Sequence, residues 1–541
     1  MLKNIINYLE TDTRRVYIFL FCVIALLRLP TLFNDYWDID IIASIVQTKE
    51  FYAGKIPGID YAENKHFLYH VIFKLSYFLS PAYGWVWVNF FGIVIIYLTS
   101  IAIYKTGIRI ANNYVGITAG LMYGVLISSF NRQFMAINGE IVYNLPIALG
   151  LYLLVCCIQS TDYRKKTLYF LGTVLAALCA FGIKFQGLMF SIFLMGFIVF
   201  YIPYYYRGMK VLLLLIFSAI FIIPFDYYVT GLFVEKLFVK FDVSSKIIYS
   251  TADVKGFTFF DFVIRFIHRQ GMLCIWHFIL WIPAFVVLFK FTKKIFKIDN
   301  LDKAAIIIFF IIAYVMVFAG GARLYFHYFM VAYVPGSLMA AMCLSKFAPF
   351  SKIKEKLVLF LLIPACFFLC WNVKDVAIKH LHPNAFHNEG KFLYWTRAVL
   401  VGTFNDYLLP HKSYLETIEF IKNNSEEQDS IFVWGDGPYL YYFSERRIGT
   451  YSMWPKNRIH HYTTRLTSSD NEVAEKAKDE ENKLLQIIIK NNPLLFIDTS
   501  ENGLSTFYIK LSDSPAIYEY IHANYELIGN PNNMKVYKLK L

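Results

Sequence analysis

Charged side chains are scarce in this sequence. Asp, Glu, Lys and Arg make up 17% of its 541 residues, whereas 57% are hydrophobic and 19% aromatic. A soluble domain usually carries about 25% charged residues, so this composition is typical of an integral membrane protein. Acidic residues are the scarcer kind, which leaves a formal net charge of +13. The basic residues form short clusters between apolar runs, a distribution that serves membrane topology, so we expect no nucleic acid partner.

Cysteine is absent from the long hydrophilic tail that starts near His411. All 8 cysteines lie inside apolar runs, and their spacing predicts neither a disulfide framework nor a metal site. The sequence also lacks an internal repeat and a low-complexity segment. No small-residue cleavage site closes the first apolar run, which ends near Phe33, so we expect a retained first helix instead of a signal peptide.

Long apolar runs, by contrast, are abundant. A bilayer core requires about 20 mostly apolar residues per helix, because backbone polar groups there must be hydrogen-bonded within the segment. A shorter run, His66–Leu79, keeps Lys74 in its middle, and we interpret it as an interfacial helix that lies on the membrane. About eleven runs meet the length standard and predict transmembrane helices at 16–33, 84–104, 114–131, 141–158, 167–184, 187–204, 211–228, 272–291, 304–320, 325–345 and 357–373.

The basic clusters predict the direction of the spans. Lys3, Arg14 and Arg15 place the N-terminus in the cytoplasm, and every second loop after them is basic, as the positive-inside rule requires. This alternation holds only if the interfacial helix does not cross the membrane. The pattern predicts a multi-pass protein of the inner (plasma) membrane, in which the outward-facing parts are the first loop (34–83), the loop 229–271 and the tail after about Trp371.

The tail differs in character from the membrane part. Its predicted elements are the strands SIFVW (430–434) and LLFID (494–498), helices at 413–424 and 470–490, and a hairpin-like strand in NPNNMKVYKL. We therefore predict a polytopic α-helical membrane protein with a transmembrane module (1–373), an external linker (374–410) and a small extracytoplasmic α/β domain (411–541).

The first external loop concentrates ionisable residues. Two of them follow the first span directly, an amphipathic helix comes next, and a turn at Gly54–Pro57 precedes the others. An Asp at the bilayer surface can act as a general base, and a Lys there can bind a lipid phosphate. A lone acidic residue in such a loop is usually only solvated, so it is the group that predicts a site. Its members are Asp38, Asp40, Asp60, Glu63 and Lys65.

This loop resembles that of the C-type (GT-C) glycosyltransferases related to the protein O-mannosyltransferases and to the lipid A aminoarabinose transferase. Many bacterial members have an Asp in this loop, followed by Gly, by a Pro-Tyr-x-Asp turn and by Lys-Pro-Pro. The matching residues here are Asp40, Gly54, Pro57, Asp60 and Lys65.

The sequence departs from the family pattern at three points. Gly58 stands where the family has Tyr, and His66–Phe67 stand where it has Pro-Pro. Ile41 follows Asp40, whereas the members closest to the mannosyl and aminoarabinosyl enzymes have Glu there. These departures weaken the assignment of a particular sugar and acceptor.

Three downstream segments also resemble GT-C motifs. GARLYFHYFMVAYVP (321–335) is similar to an Arg…His-Tyr motif at the start of a late span, NGEIVYNLPIALGLYLL (138–154) to a segment where a Glu opens a middle span, and GIKFQG (182–187) to a Lys-containing turn. The tail segment IFVWGDGPYLYYFSERRIGTYSMW resembles part of the external domain of such enzymes. The predicted topology places the candidate residues at the outer ends of spans, where ionisable groups are functional candidates. These residues are Asp40, Lys65, Glu140, Lys184, Arg323 and His327, and Tyr328 accompanies Arg323 and His327 near the start of one helix.

Simpler interpretations stay open for several residues. Glu140 can cap a helix N-terminus, where a carboxylate suits the helix dipole. Lys184 can snorkel from a helix end to the membrane surface. We expect Arg28, near the outer end of the first span, to snorkel in this way. Asp38 is expected to cap the helix that follows it.

The resemblance implies transfer of a sugar from a polyprenyl-phosphate carrier to an acceptor hydroxyl of a lipid, glycan or protein at the outer membrane face. In a bacterium the carrier would be undecaprenyl phosphate. Asp40 is the predicted general base of an inverting displacement, and Lys65 and Arg323 are predicted to bind the donor phosphate. The other candidates for binding substrate are Asp60, Glu63, Glu140, Lys184, His327 and Tyr328.

Protein cations can neutralise a phosphate in place of a metal, so we expect no obligatory metal or other cofactor, with a divalent metal left open. Three alternative functions also stay open. They are a transporter or flippase for a lipid-linked glycan, an oligosaccharide transferase or ligase with a pyrophosphate-linked donor, and a membrane scaffold whose external domain binds a partner.

Overall fold

The computed structural model describes residues 11–33, 39–57, 61, 66–129, 131–201, 259–291, 301–318, 324–346, 361–373, 410–435, 437–450, 453, 459, 462–463, 466, 471–501 and 509–540. These residues form two compact units. The helical unit consists of the described parts of Met1–Trp37, Lys65–Val234 and Gly256–Ala377. The mixed unit consists of the described parts of Asp38–Asn64 and Ile378–Leu541.

Apolar helices make up the helical unit. Their bounds are α1 Thr13–Arg28, α3 Phe67–Leu79, α4 Gly84–Ile110, α5 Asn113–Leu126, α6 Arg132–Met135, α7 Gly139–Gln159, α8 Tyr163–Ile183, α9 Leu188–Tyr201, α10 Phe259–Trp276, α11 Phe278–Phe291, α12 Leu301–Val315, α13 Tyr333–Lys346 and α14 Leu361–Val373. The helix α2, Ile39–Tyr52, lies between α1 and α3 in the chain and belongs to the mixed unit.

Within the described ranges, 6 helical segments are long and apolar enough to cross a membrane, and α10 with α11 would add a seventh as a span bent by 112°. The predicted spans coincide with described helices except 211–228, which lies outside the described residues. The polytopic helical fold is therefore confirmed. The number of about eleven spans stays a prediction, because described helices such as α5, with 14 residues, are shorter than a full span.

A stripe of small residues lets α4 and α5 approach closely. Gly116, Gly120 and Gly124 are spaced by four along α5, a spacing that brings membrane helices together at the backbone. A methyl carbon added at Gly120 would lie 2.8 Å from the carbonyl oxygen of Ser100 on α4. The packing of the two helices therefore depends on the missing side chain.

We expect Gly120→Ala to destabilise the protein. Alanine is favoured over glycine in a helix by about 1 kcal/mol, so a loss of stability would report the contact with Ser100 and not helix propensity. Thermal unfolding of the purified protein in detergent measures the effect.

Gly271→Ala on α10 is the matched control, because an added methyl carbon there meets no atom within 4 Å. The variant should unfold at the wild-type temperature or above it. Equal behaviour of the two variants would contradict the close packing of α4 against α5.

The mixed unit contains a five-stranded sheet with the order β2-β1-β3-β5-β4. β1 pairs in parallel with β2 and β3, whereas β5 pairs antiparallel with β3 and β4. Phe432 of β1 and Phe496 of β3 stack in its core with ring centroids 5.0 Å apart. The strands are β1 Ser430–Trp434, β2 Arg447–Ile448, β3 Leu495–Asp498, β4 Tyr525–Gly529 and β5 Lys535–Leu539, and the helices after α14 are α15 Pro410–Asn424, α16 Pro438–Ser444, α17 Asn471–Asn491 and α18 Pro515–Asn524.

The predicted strands and helices of the tail are confirmed by β1, β3, β5, α15 and α17. The helix predicted in the first loop is also present, as α2, and a turn with Gly54 at φ +84° follows it. Its amphipathic character was wrongly predicted. Every side chain from Ile41 to Thr48 is buried, so the helix is covered on nearly all sides.

Candidate active site

A buried ion pair joins α7 to the end of α8. Glu140 lies in the first turn of α7, and its Oε1 accepts a short hydrogen bond from Nζ of Lys184, the residue that ends α8. Glu140 is 1% exposed and Lys184 is 8% exposed. Lys184 therefore does not snorkel to the membrane surface. The carboxylate also suits the helix N-terminus, so both interpretations of Glu140 apply together.

Two glycines adjoin this pair, one at the start of α7 and one in the turn after Lys184. A methyl carbon added at Gly139 would lie 3.0 Å from Cδ of Lys184, so the lysine chain crosses the start of α7 through the space of a missing side chain. Gly187 ends the turn Phe185–Gly187 after Lys184, and its backbone N–H donates to the Lys184 carbonyl at 2.8 Å. The turn predicted in GIKFQG is thus present, and it fixes the backbone of the lysine.

His327 and Tyr328 lie beside the pair, on the 3-10 helix Phe326–Ala332. Nε2 of His327 is 4.0 Å from Oε1 of Glu140, and Nζ of Lys184 lies 5.3 Å from the ring centroid of Tyr328. Gln133 orients the histidine, since its Oε1 lies 3.4 Å from the His327 backbone nitrogen and 3.3 Å from Nδ1. Four candidates from separate parts of the sequence thus converge on one place.

A largely apolar pocket opens at the same place. Glu140 and Tyr328 form part of its wall, and the rest is aliphatic or aromatic apart from Gln186 and the Tyr143 side chain. A mostly apolar lining with a few polar groups is typical of small-molecule sites in proteins. It is lined by Glu140, Tyr143, Ile147, Gln186, Met189, Phe190, Phe309, Ala313, Met316, Tyr328 and Val331.

Arg28 was wrongly predicted to snorkel, because its side chain is 0% exposed. It donates to Oγ of Ser128 at 3.1 Å and to the carbonyl oxygens of Ile127, Phe134 and Met135 at 2.6 to 2.7 Å. These acceptors belong to the break between α5 and α7, which contains Gln133. A guanidinium has five N–H donors in a fixed plane and can bind several carbonyls at once. Arg28 therefore holds the segment from which Gln133 contacts His327.

Of the other candidates, Asp40 alone lies among the described residues, and it belongs to the mixed unit. Asp40 lies in the first turn of α2 in the mixed unit, is partly exposed, and its carbonyl accepts a hydrogen bond from Oγ of Ser44 at 2.8 Å. Its role as the base stays a prediction. The candidates Asp60, Glu63, Lys65 and Arg323, together with Asp38, lie outside the described residues.

No group of three or more His, Cys, Asp or Glu side chains suited to a metal ion occurs among the described residues. The carboxylate of Glu140 is bound by an ammonium group instead. The described cluster therefore carries a cation of the protein itself, bound to a carboxylate of the pocket wall.

No protein-family model and no curated protein sequence matches the chain. Solved structures, however, match the chain in fold. ArnT from Cupriavidus metallidurans in the apo state aligns with a TM-score of 0.53 at 12% identity, over 97% of this chain and 98% of that one. The same enzyme bound to undecaprenyl phosphate gives 0.52 at 11% identity, over 96% and 97%. The Archaeoglobus fulgidus oligosaccharyltransferase in complex with Zn and sulfate gives 0.51 at 12% identity, over 97% and 73%.

The chain has the GT-C fold. The resemblance predicted from sequence motifs is thereby confirmed at the level of the fold, in a multi-pass helical membrane protein with a C-terminal α/β domain. Identities of 11 to 12% extend the likeness no further than the fold. The chemistry of this chain has to be argued from its own residues.

We expect substitutions of Glu140 and Lys184 to have strongly coupled effects on the stability of the protein. Removing one member of a buried ion pair leaves an uncompensated charge and costs about 3–5 kcal/mol, whereas replacing both can be neutral. Lys184→Met should therefore lower the thermal unfolding midpoint, and Glu140→Gln combined with Lys184→Met should recover most of the loss. Additive losses in the double variant would contradict a direct buried pair.

Proposed function

We propose that this protein is a membrane glycosyltransferase that moves a sugar from a polyprenyl-phosphate carrier to an acceptor hydroxyl. The observation that carries the proposal is a mostly apolar pocket whose lining includes Tyr328 and Glu140, the carboxylate that binds Lys184. A carrier of this kind combines a long apolar tail with a phosphate head, and the pocket combines the matching surfaces. The proposed site of reaction is the outer face of the inner (plasma) membrane, which is the face that the basic loops predict for the candidate residues.

One likeness supports a carrier with a single phosphate. ArnT, which has been solved with undecaprenyl phosphate bound, matches this chain over nearly the full length of both. The archaeal oligosaccharyltransferase is matched over 73% of its length. A donor linked through pyrophosphate is therefore the second choice, and it belongs in the same assay.

Asp40, in its predicted role, takes the proton of the acceptor hydroxyl while that oxygen attacks the anomeric carbon. The bond between the anomeric carbon and the phosphate oxygen breaks, and the electron pair leaves with the polyprenyl phosphate. One displacement inverts the configuration, so one base is sufficient. The leaving phosphate gains negative charge, and a preorganised cation in a site of low dielectric stabilises it most.

Lys184 is the described cation suited to that role. Its ammonium group is fixed by Glu140 and lies over the Tyr328 ring, so little reorganisation is required when the charge develops. Lys65 and Arg323 are proposed to complete the phosphate site. His327, oriented by Gln133, is proposed to donate a further hydrogen bond to the phosphate.

The decisive assay incubates the purified protein in lipid with radiolabelled polyprenyl-phosphate sugars and polyprenyl-pyrophosphate glycans, and follows donor consumption and product. We expect turnover with a monophosphate donor. Asp40→Asn should lower the rate by about 10²–10⁴ while the donor still binds, which is the usual effect of removing a general base. Asp38→Asn is the matched control and should keep most of the activity.

Turnover by Asp40→Asn together with an inactive Asp38→Asn would assign the base to Asp38. Absence of transfer from every donor, with movement of labelled lipid between leaflets, would support the transporter alternative. The bent pair α10 and α11 is the described feature that such a transporter would share.

We expect transfer to persist in excess EDTA. The Glu140 carboxylate already binds Lys184, and in the proposed mechanism this protein cation neutralises the phosphate in place of a divalent ion. Activity is measured after chelation and again after addition of Mg²⁺, Mn²⁺ or Zn²⁺. Loss of activity in EDTA, with recovery on addition of one metal, would contradict this prediction.

A further inference from the structure

The end of α2 folds back on itself. The backbone N–H of Ala53 donates to the carbonyl of Lys49, and that of Gly54 donates to the carbonyl of Phe51, both at 3.0 Å. The N–H of Lys55 donates to the carbonyl of Glu50 at 3.1 Å. This reversal brings Nζ of Lys55 to 2.8 Å from Oε2 of Glu50. Two side chains of the first loop are thus presented side by side.

They contact the outer edge of the sheet within the mixed unit. β2 is the edge strand, and the N–H groups of Arg447 and Gly449 point inward to β1, so the polar groups of Ile448 point outward. The Ile448 N–H donates to Oε1 of Glu50 at 3.0 Å, and Nζ of Lys55 donates to the Ile448 carbonyl at 3.2 Å. The pair therefore satisfies both groups that an edge strand leaves open at this residue.

The carboxylate of Glu50 is a buried charge with two cations. Glu50 is 3% exposed, and Nη2 of Arg447 lies 3.6 Å from the same Oε2 that Lys55 contacts. Exposed ion pairs contribute little to stability, but a buried carboxylate held by two cations and a backbone N–H is costly to disturb. Nζ of Lys49 adds a contact 5.8 Å from the Tyr442 ring centroid, on α16.

We propose that Glu50 is a positioning residue through which the C-terminal domain fixes helix α2, and with it Asp40. Asp40 lies in the first turn of α2 and Glu50 near its last, about 15 Å apart along the axis at 1.5 Å per residue. A helix of this length moves as one body, so holding one end restrains the other. This inference rests on the proposed role of Asp40 as the base.

Hydrogen–deuterium exchange on the full chain in lipid nanodiscs tests the contact without any assumption about activity. Glu50→Ala should speed exchange of the amides in Ile39–Tyr52 roughly tenfold or more, while the amides of β1 and β3 keep wild-type rates. Glu472→Ala is the matched control, because that carboxylate pairs with Lys476 on the exposed face of α17 at 2.5 Å. Unchanged exchange in α2 of Glu50→Ala would overturn the inference.

If Glu50→Ala also loosens β1 and β3, Lys55→Met decides, since Lys55 is a partly exposed side chain whose loss leaves the sheet core intact. Faster exchange confined to α2 supports the inference, and no change overturns it.

In the transfer assay, Glu50→Gln should lower kcat about tenfold with an unchanged KM for the donor, as expected when only the base is displaced. Wild-type kcat with a loosened α2 would overturn the positioning role. A loosened α2 in a protein that transfers no sugar would leave the contact standing and refute the proposed function.

Discussion

Backbone that leaves the helical conformation inside a membrane protein must find hydrogen-bond partners within the protein. The break between α5 and α7 meets this constraint through Arg28, whose guanidinium binds three carbonyl groups and one hydroxyl of that segment. The contacts join residues about one hundred positions apart in the chain. Gln133, and through it His327, depend on this arrangement, and α7 starts with Glu140 directly after it.

Charged side chains inside a membrane protein must also find partners, and this constraint explains the pairing in the candidate site. A carboxylate and an ammonium group at membrane depth are each costly alone, so Glu140 and Lys184 are held together by burial. A neutral pair still presents a fixed dipole to a ligand. Glu140 also lines a mostly apolar pocket, so the proposed ligand would meet the ammonium group beside aromatic and aliphatic side chains. The ammonium group and the apolar lining are the basis for proposing an anionic lipid as the ligand.

The sequence predicted the helices and tail strands well, because each is specified locally by apolar runs and by alternation. It also grouped Glu140, Lys184, His327 and Tyr328 through motif resemblance and a common predicted face. It did not predict which of them pair. Arg28 was misjudged because its position near a helix end suggests snorkelling, whereas its partners come from a polar break, SSFNRQFMAINGE, far along the chain. That polar stretch between two apolar runs was the available signal.

Helix α2 shows the same limit in another form. Its pattern suggested one buried face, but contacts from distant segments bury Ile41 to Thr48 on nearly every side. Glu50 could not be distinguished from a solvated surface acid without knowing that the edge strand Arg447–Ile448 lies beside it. Glu50 and Ile448 lie nearly four hundred residues apart in the chain, so no local periodicity of the sequence indicates that they are partners.

The most direct measurement is a cryo-electron microscopy structure of the protein in lipid nanodiscs with a polyprenyl phosphate added. The account predicts the phosphate within about 3 Å of Nζ of Lys184, beside Tyr328, with the first isoprene units in the pocket lined by Phe190 and Phe309. A phosphate bound away from Lys184, with the pocket closed or filled by an ordinary bilayer lipid, would contradict it.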